Sequence, residues 1–218
     1  IYGHPHPLEC EVAEMLCEVI PCAEQARFLK TGAEAVAACI RLARHFTGRE
    51  HVVQIGYNGW LNSLAPGGRV LPGRTAAAAP PGVPAGLAAV HHACGWNDVE
   101  GLRRLFAAHP GQIAAVVVAS AYHSATEGAT FYPAVRELTN KEGALLIFDE
   151  IVTGFRLAIG GVQEYFKVTP DLAVFAKGIA NGMPLAAYVG RRDVMSKLSE
   201  VIVSSTYGGE TLSLAAAK

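Results

Sequence analysis

Apolar residues recur along this chain at two spacings, and the alternation between them outlines the fold. Leu8, Val12, Met15, Leu16 and Val19 line one side of a helix predicted over 7–20. Residues 26–29 are a short strand candidate. Thr31-Gly-Ala-Glu34 then matches a capping box, with Thr31 as N-cap and Glu34 reaching back. A helix follows to about residue 45, carried by Val36, Ile40, Leu42 and Ala43. Continuous apolar runs predict strands over 51–55, 113–119, 144–148, 172–176 and 185–189, with helices over 98–108 and 133–142 between them. Strands that are apolar throughout, alternating with amphipathic helices, predict an α/β fold: a mostly parallel central sheet flanked by helices on both faces. In such sheets ligands sit beyond the carboxyl ends of the strands. The Gly-, Pro- and Ala-rich stretch 56–86 is predicted to be a long excursion over that face.

Composition narrows the picture. The chain has 218 residues, 51% of them hydrophobic, and a formal net charge of −1. That is enough apolar material for one sizeable core, so 1–218 is expected to be a single domain. Near-zero charge argues against a nucleic-acid partner or a membrane surface, and no apolar run is long enough to cross a bilayer. Five cysteines without paired spacing do not form a disulfide framework. Cys10, Cys17 and Cys39 are expected to be buried thiols, and a reducing, cytoplasmic compartment is expected with them. Ile1 is not an initiator and Lys218 stops within an Ala-rich run, so the sequence reads as a piece of a longer protein.

The candidate chemistry lies where two strands end. Asp149 follows Leu145-Leu-Ile-Phe148, and Lys177 follows Leu172-Ala-Val-Phe-Ala176 and precedes Gly178-Ile-Ala-Asn-Gly-Met-Pro184. An acid and a lysine at neighbouring strand ends suit pyridoxal 5′-phosphate. The amine forms a Schiff base with its aldehyde, and the acid holds its pyridine nitrogen protonated. The apolar setting predicts a partly buried Lys177 with a lowered pKa. The helix start at Gly32-Ala33 offers free N–H groups to a phosphate, although an ordinary capped helix has the same pattern. Tyr57 is placed to stack on a ring and Ile151 to pack on its other face, with core packing as the alternative for both. Ser204-Ser-Thr-Tyr-Gly-Gly-Glu210 is either a second phosphate contact or a helix entry. His4 with His6, and His91 and His92 with Cys94, lack a further partner at ligand spacing, so no metal is expected.

These segments also resemble a family. Pro7-Leu-Glu-Cys-Glu-Val-Ala-Glu14, residues 28–48, Asp149-Glu-Ile-Val-Thr-Gly-Phe-Arg156, residues 160–190 and residues 205–217 are similar to class III pyridoxal-phosphate aminotransferases of fold type I. The branch they resemble most includes glutamate-1-semialdehyde aminomutase. The resemblance implies the large cofactor-binding domain, without the family's amino-terminal segment and carboxy-terminal small domain. It implies catalytic roles for Lys177 and Asp149. It also implies phosphate contacts from Gly32 and Ala33, a ring sandwich of Tyr57 and Ile151, and Thr206 reaching the cofactor of a second subunit in a homodimer. The implied partners are a small amino donor and a carbonyl acceptor. Four departures stand out: Ala33 in place of Ser or Thr, Asn58 in place of His, Ala119-Ser120 in place of Glu-Pro, and apolar Val152. An aminomutase, a decarboxylase, an epimerase and a non-catalytic domain remain as alternatives. Arg156 is either a carboxylate contact or half of an internal ion pair, the latter being preferred.

Overall fold

A computed structural model describes residues 4–61, 81–119 and 125–218. The helices are α1 (Pro7–Val19), α2 (Gly32–Thr47), α3 (Ala85–Ala89), α4 (Val99–Ala108), α5 (Ala125–Glu142), α6 (Val162–Phe166), α7 (Arg192–Met195) and α8 (Thr211–Ala217). The strands are β1 (Gln25–Leu29), β2 (His51–Ile55), β3 (His91–Cys94), β4 (Ile113–Ala119), β5 (Leu145–Asp149), β6 (Leu172–Phe175) and β7 (Ala186–Gly190). They form one sheet in the order β1-β7-β6-β5-β4-β2-β3. The run from β3 through β6 is parallel, whereas β7 and β1 pair antiparallel at the other edge. The predicted mostly parallel sheet flanked by helices is therefore present.

Strand residues alternate between two cores. Val116, Val118, Leu146 and Phe148 join Leu16 of α1, Phe106 of α4 and Tyr132 of α5 on one face. Ala115, Val117, Leu145 and Ile147 face the opposite way, against α2 and α7. Period-two alternation with both faces buried is why these strands read as unbroken apolar runs. Helix α2 seats on its face through small and large residues together: Ala35, Ala38 and Ala43 are buried beside Val36, Ile40 and Leu42, as are Ala115 and Ala186 of the sheet. Thr31 and Glu34 close the predicted capping box, and Gly48 ends the helix in the left-handed conformation at φ 67°.

Three expectations need correction. Helix α5 begins at Ala125 and runs through Pro133, which had been read as its first turn. Its early turns are held by packing: a Cβ on Gly128 would lie 2.4 Å from the Phe166 ring. Strand β3 was not anticipated, because its His-His-Ala-Cys sequence lacks β-branched residues and it lies at the sheet edge. Cys10 is exposed and Cys17 half-buried on α1, while Cys39 is buried as expected; none of the five cysteines is in a disulfide. The central part of the predicted excursion over 56–86 lies outside the described residues, as does Ser120. Among the described residues, no helix is long and apolar enough to cross a membrane.

Candidate active site

The parallel register brings the strand ends level. Ile55 pairs with Val118, Val118 with Phe148, and Asp149 with both Ala119 and Val174. Gly56, Ala119 and Asp149 therefore stand in one row at the carboxyl edge of the sheet. Gly56 has φ 80°, and a Cβ there would lie 3.0 Å from Ala119 Cβ, so this tight exit from β2 requires glycine.

Asp149 is the last residue of β5 and is 5% exposed. Its Oδ2 accepts a hydrogen bond from Asn58 Nδ2 (3.1 Å) and its Oδ1 one from the Ile151 N–H (3.1 Å). Burial is the largest influence on its carboxyl and raises the pKa to about 6. The Ile151 and Asn58 hydrogen bonds and the positive charge of Lys177 pull the other way. Asn58 is itself buried, and its Oδ1 has no partner among the described residues. An amide thus stands beside the acid where the resemblance led us to note a missing histidine.

Lys177 follows β6 and opens a short turn in which its own φ is 49°, Asn181 has φ 35° and Gly182 has φ 117°. Such a conformation is uncommon for a residue with a side chain. The expected partial burial is not found: Lys177 is exposed, although Phe175 and Ala176 before it are buried. The apolar surroundings read from the sequence belong to the strand, whose residues point into the two cores, and not to the lysine.

The first turn of α2 approaches the same edge. A Cβ on Gly32 would lie 2.2 Å from Ile151 Cδ1, so Gly32 and Ile151 are in close apposition, and Ile151 packs under the helix start. The capping box uses the N–H of Glu34, which donates to Thr31 Oγ1, and Glu34 Oε2 accepts from the Thr31 N–H at 2.8 Å. The N–H groups of Gly32 and Ala33 have no partner among the described residues. Tyr57 presents a 54% exposed ring just beyond Gly56.

Thr206 is not brought to this cluster within the chain. It is exposed and lines a separate cleft of about 870 Å³ with Arg27, Phe28, Tyr188 and Glu210. The polar segment before α8 does act as a helix entry: Glu210 is its N-cap and forms an ion pair with Lys30 at 3.1 Å. Arg156 is exposed and forms no ion pair among the described residues, contrary to the preferred expectation. Its Nε would lie 4.0 Å from a Cβ on Gly178, placing it beside the Lys177 turn.

Glu150 was given no role from the sequence, and it anchors the loop that follows β5. It is fully buried, its N–H donates to Val174 O (2.9 Å), and its carboxylate accepts from Thr153 Oγ1 and from the Val162 and Gln163 N–H groups. Gly161, at φ 75°, leaves room for it; a Cβ there would lie 2.4 Å from Glu150 Oε2. The Asp-Glu pair thus divides its work: one acid faces the strand-end cluster and the other fixes the following loop.

The comparisons with known proteins bear on the same region. Over 99% of its length the chain superposes on an omega-transaminase from Sphaerobacter thermophilus with a TM-score of 0.87 and 29% identity, covering 53% of that chain. It superposes over its full length on a beta-phenylalanine aminotransferase from Variovorax paradoxus with a TM-score of 0.82 and 31% identity, covering 49% of that chain. A transaminase with PLP bound matches with a TM-score of 0.87 and 27% identity over 99% of this chain and 53% of its own. The chain therefore spans about half the length of the solved structures it matches. The family model for class-III aminotransferases matches residues 3–218, and the chain belongs to that family.

Proposed function

We propose that this chain is the cofactor-binding part of a pyridoxal-phosphate-dependent aminotransferase that moves an amino group from a small amine or amino-acid donor to a carbonyl acceptor. The observation that carries the reading is the buried carboxyl of Asp149 at the end of β5, with Lys177 at the end of the adjacent strand, in a chain of the class-III family.

The residues present fit the group. Asp149 is buried with two hydrogen-bond donors and, among the described residues, no cation in bonding contact, a setting that suits a protonated pyridine nitrogen. The open N–H groups of Gly32 and Ala33 at the start of a 16-residue helix suit a phosphate. Gly32 has no room for a side chain, and the exposed ring of Tyr57 and the side chain of Ile151 offer apolar surfaces. When bound, pyridoxal 5′-phosphate supplies an aldehyde and a ring that stabilises negative charge at a substrate carbon. Asp149 holds the proton on the ring nitrogen. Asn58 keeps the acid oriented. Lys177 Nζ would hold the group through its aldehyde and, as a free amine, would accept a proton from the substrate's α carbon. Arg156, exposed beside the Lys177 turn and without an ion pair among the described residues, suits an anionic group on the substrate. The exposure of Lys177 and Thr206 supports a homodimer in which each subunit completes the other's site, with Thr206 meeting the partner's phosphate.

Reduction with borohydride in the presence of pyridoxal 5′-phosphate, followed by peptide mapping, tests the cofactor site. A pyridoxyl group on Lys177 that is lost in Lys177→Ala is expected; label spread over other lysines would sink the proposal. Nitrogen exchange between a labelled donor and a separate keto acid then distinguishes a transaminase from an aminomutase, which needs no second molecule.

A further inference from the structure

Three histidines from three separate elements meet at the far end of the sheet, and none of them serves the strand-end cluster. His51 opens β2, His92 is the second residue of β3, and His109 is the C-cap of α4. Strand pairing places Val53 opposite His92, two residues from His51. The segment after α4 returns by way of hydrogen bonds from the Gln112 N–H to His109 O (3.2 Å) and from the His51 N–H to Gln112 O (3.0 Å). His51 Nδ1 and His92 Nε2 lie 2.8 Å apart, and one ligand nitrogen from each of the three rings lies within 4.8 Å of the others. Ring centroids are 4.2 to 5.0 Å apart.

We infer that His51, His92 and His109 form a site for a divalent transition-metal ion of the zinc class, which pins the edge strand β3 and the end of α4 to β2. Zinc bonds imidazole nitrogen at about 2.0–2.1 Å, which sets tetrahedral ligand nitrogens roughly 3.3 Å apart; here His51 Nδ1 and His92 Nε2 are 2.8 Å apart and all three ligand atoms lie within 4.8 Å of one another. A metal ligand must be a neutral imidazole. Three protein ligands leave one position for water, and all three rings are half-buried, so the ion has a path in. His51 stands about 13 Å from Ile55 along β2, which separates this site from the cofactor edge at roughly 3.3 Å per residue. The expectation of no metal rested on spacing along the chain, whereas these ligands are assembled by strand pairing.

The test uses the untagged chain, stripped with a chelator and titrated with zinc(II) by calorimetry, with cobalt(II) absorption as a geometric readout. One equivalent per chain is expected, with a tetrahedral cobalt spectrum and a higher melting temperature. Affinity should fall about 100-fold or more in both His92→Ala and His109→Asn. His6→Ala and His45→Ala should leave it unchanged. Circular dichroism checks that each variant is folded, and His109→Asn lies at a helix end that tolerates asparagine. No saturable binding, or one equivalent retained in both His92→Ala and His109→Asn, would overturn the inference.

Discussion

Replacing Asp149 by asparagine should stabilise the protein without its cofactor, and the gain should grow with pH. Burial raises the Asp149 carboxyl from its ordinary value of 3.8 to about 6. Between those values the folded chain binds more protons than the unfolded one, so the free energy of unfolding falls as pH rises. The cost of ionising Asp149 is absent below the unfolded value and complete above the folded one. At about 1.4 kcal/mol for each pH unit separating the two, it amounts to about 3 kcal/mol. An amide at this position does not titrate. It also keeps both hydrogen bonds: its oxygen still accepts from the Ile151 N–H, and the buried Asn58 amide can turn its unpartnered Oδ1 toward the new N–H. Urea unfolding of the wild type and Asp149→Asn at about pH 4.5 and about pH 7.5 isolates the group, because every other titration cancels in the difference. The variant's advantage should widen by about 2 kcal/mol between the two conditions. A constant difference would refute the assignment of a buried, strained ionisation to Asp149. Added pyridoxal 5′-phosphate should reverse the ranking, since the cofactor's cationic nitrogen compensates a carboxylate and not an amide.

Two further substitutions probe the supports of the site. Gly32→Ala should cost about 1–3 kcal/mol in urea unfolding, because its Cβ meets Ile151 Cδ1 and Cγ1, and the penalty should largely vanish in an Ile151→Ala background, which lacks both atoms; an unaffected single variant would show that the contact is not tight. Asp171 is buried and accepts from Arg136 (2.9 Å), Arg191 (2.6 Å) and the Leu146 N–H (2.7 Å). Asp171→Ala should therefore cost about 3–5 kcal/mol, and a loss below about 1 kcal/mol would mean that the arginines find other partners.

Much of this fold is legible in the amino-acid order, for a physical reason. Val116, Val117 and Val118 are buried on alternate faces, so β4 had to read as an apolar run, and the Thr31–Glu34 cap is a purely local device. That Asp149 and Lys177 end neighbouring strands was legible because each follows an unbroken apolar run. What escaped depends on tertiary placement. The exposure of Lys177 is set by what lies over the edge, not by its neighbours in sequence. The work of Glu150 depends on a loop that returns twelve and thirteen residues later at Val162 and Gln163. The histidine cluster draws on positions 51, 92 and 109, which no local pattern connects.

The alanines beneath α2 have one more implication. The helix spans 16 residues, about 24 Å, and at Ala35, Ala38 and Ala43 its buried face carries only methyl groups, set between the larger Val36, Ile40 and Leu42. It behaves as a rod seated in a slot with little clearance. A methyl or two added at Ala43, far from any chemistry, would tip the rod and lift Gly32 and Ala33 at its other end. The alignment of the end proposed to bind phosphate is thus governed by tolerances at the opposite one, and loss of activity without loss of any residue at that end is the mark such a change would leave.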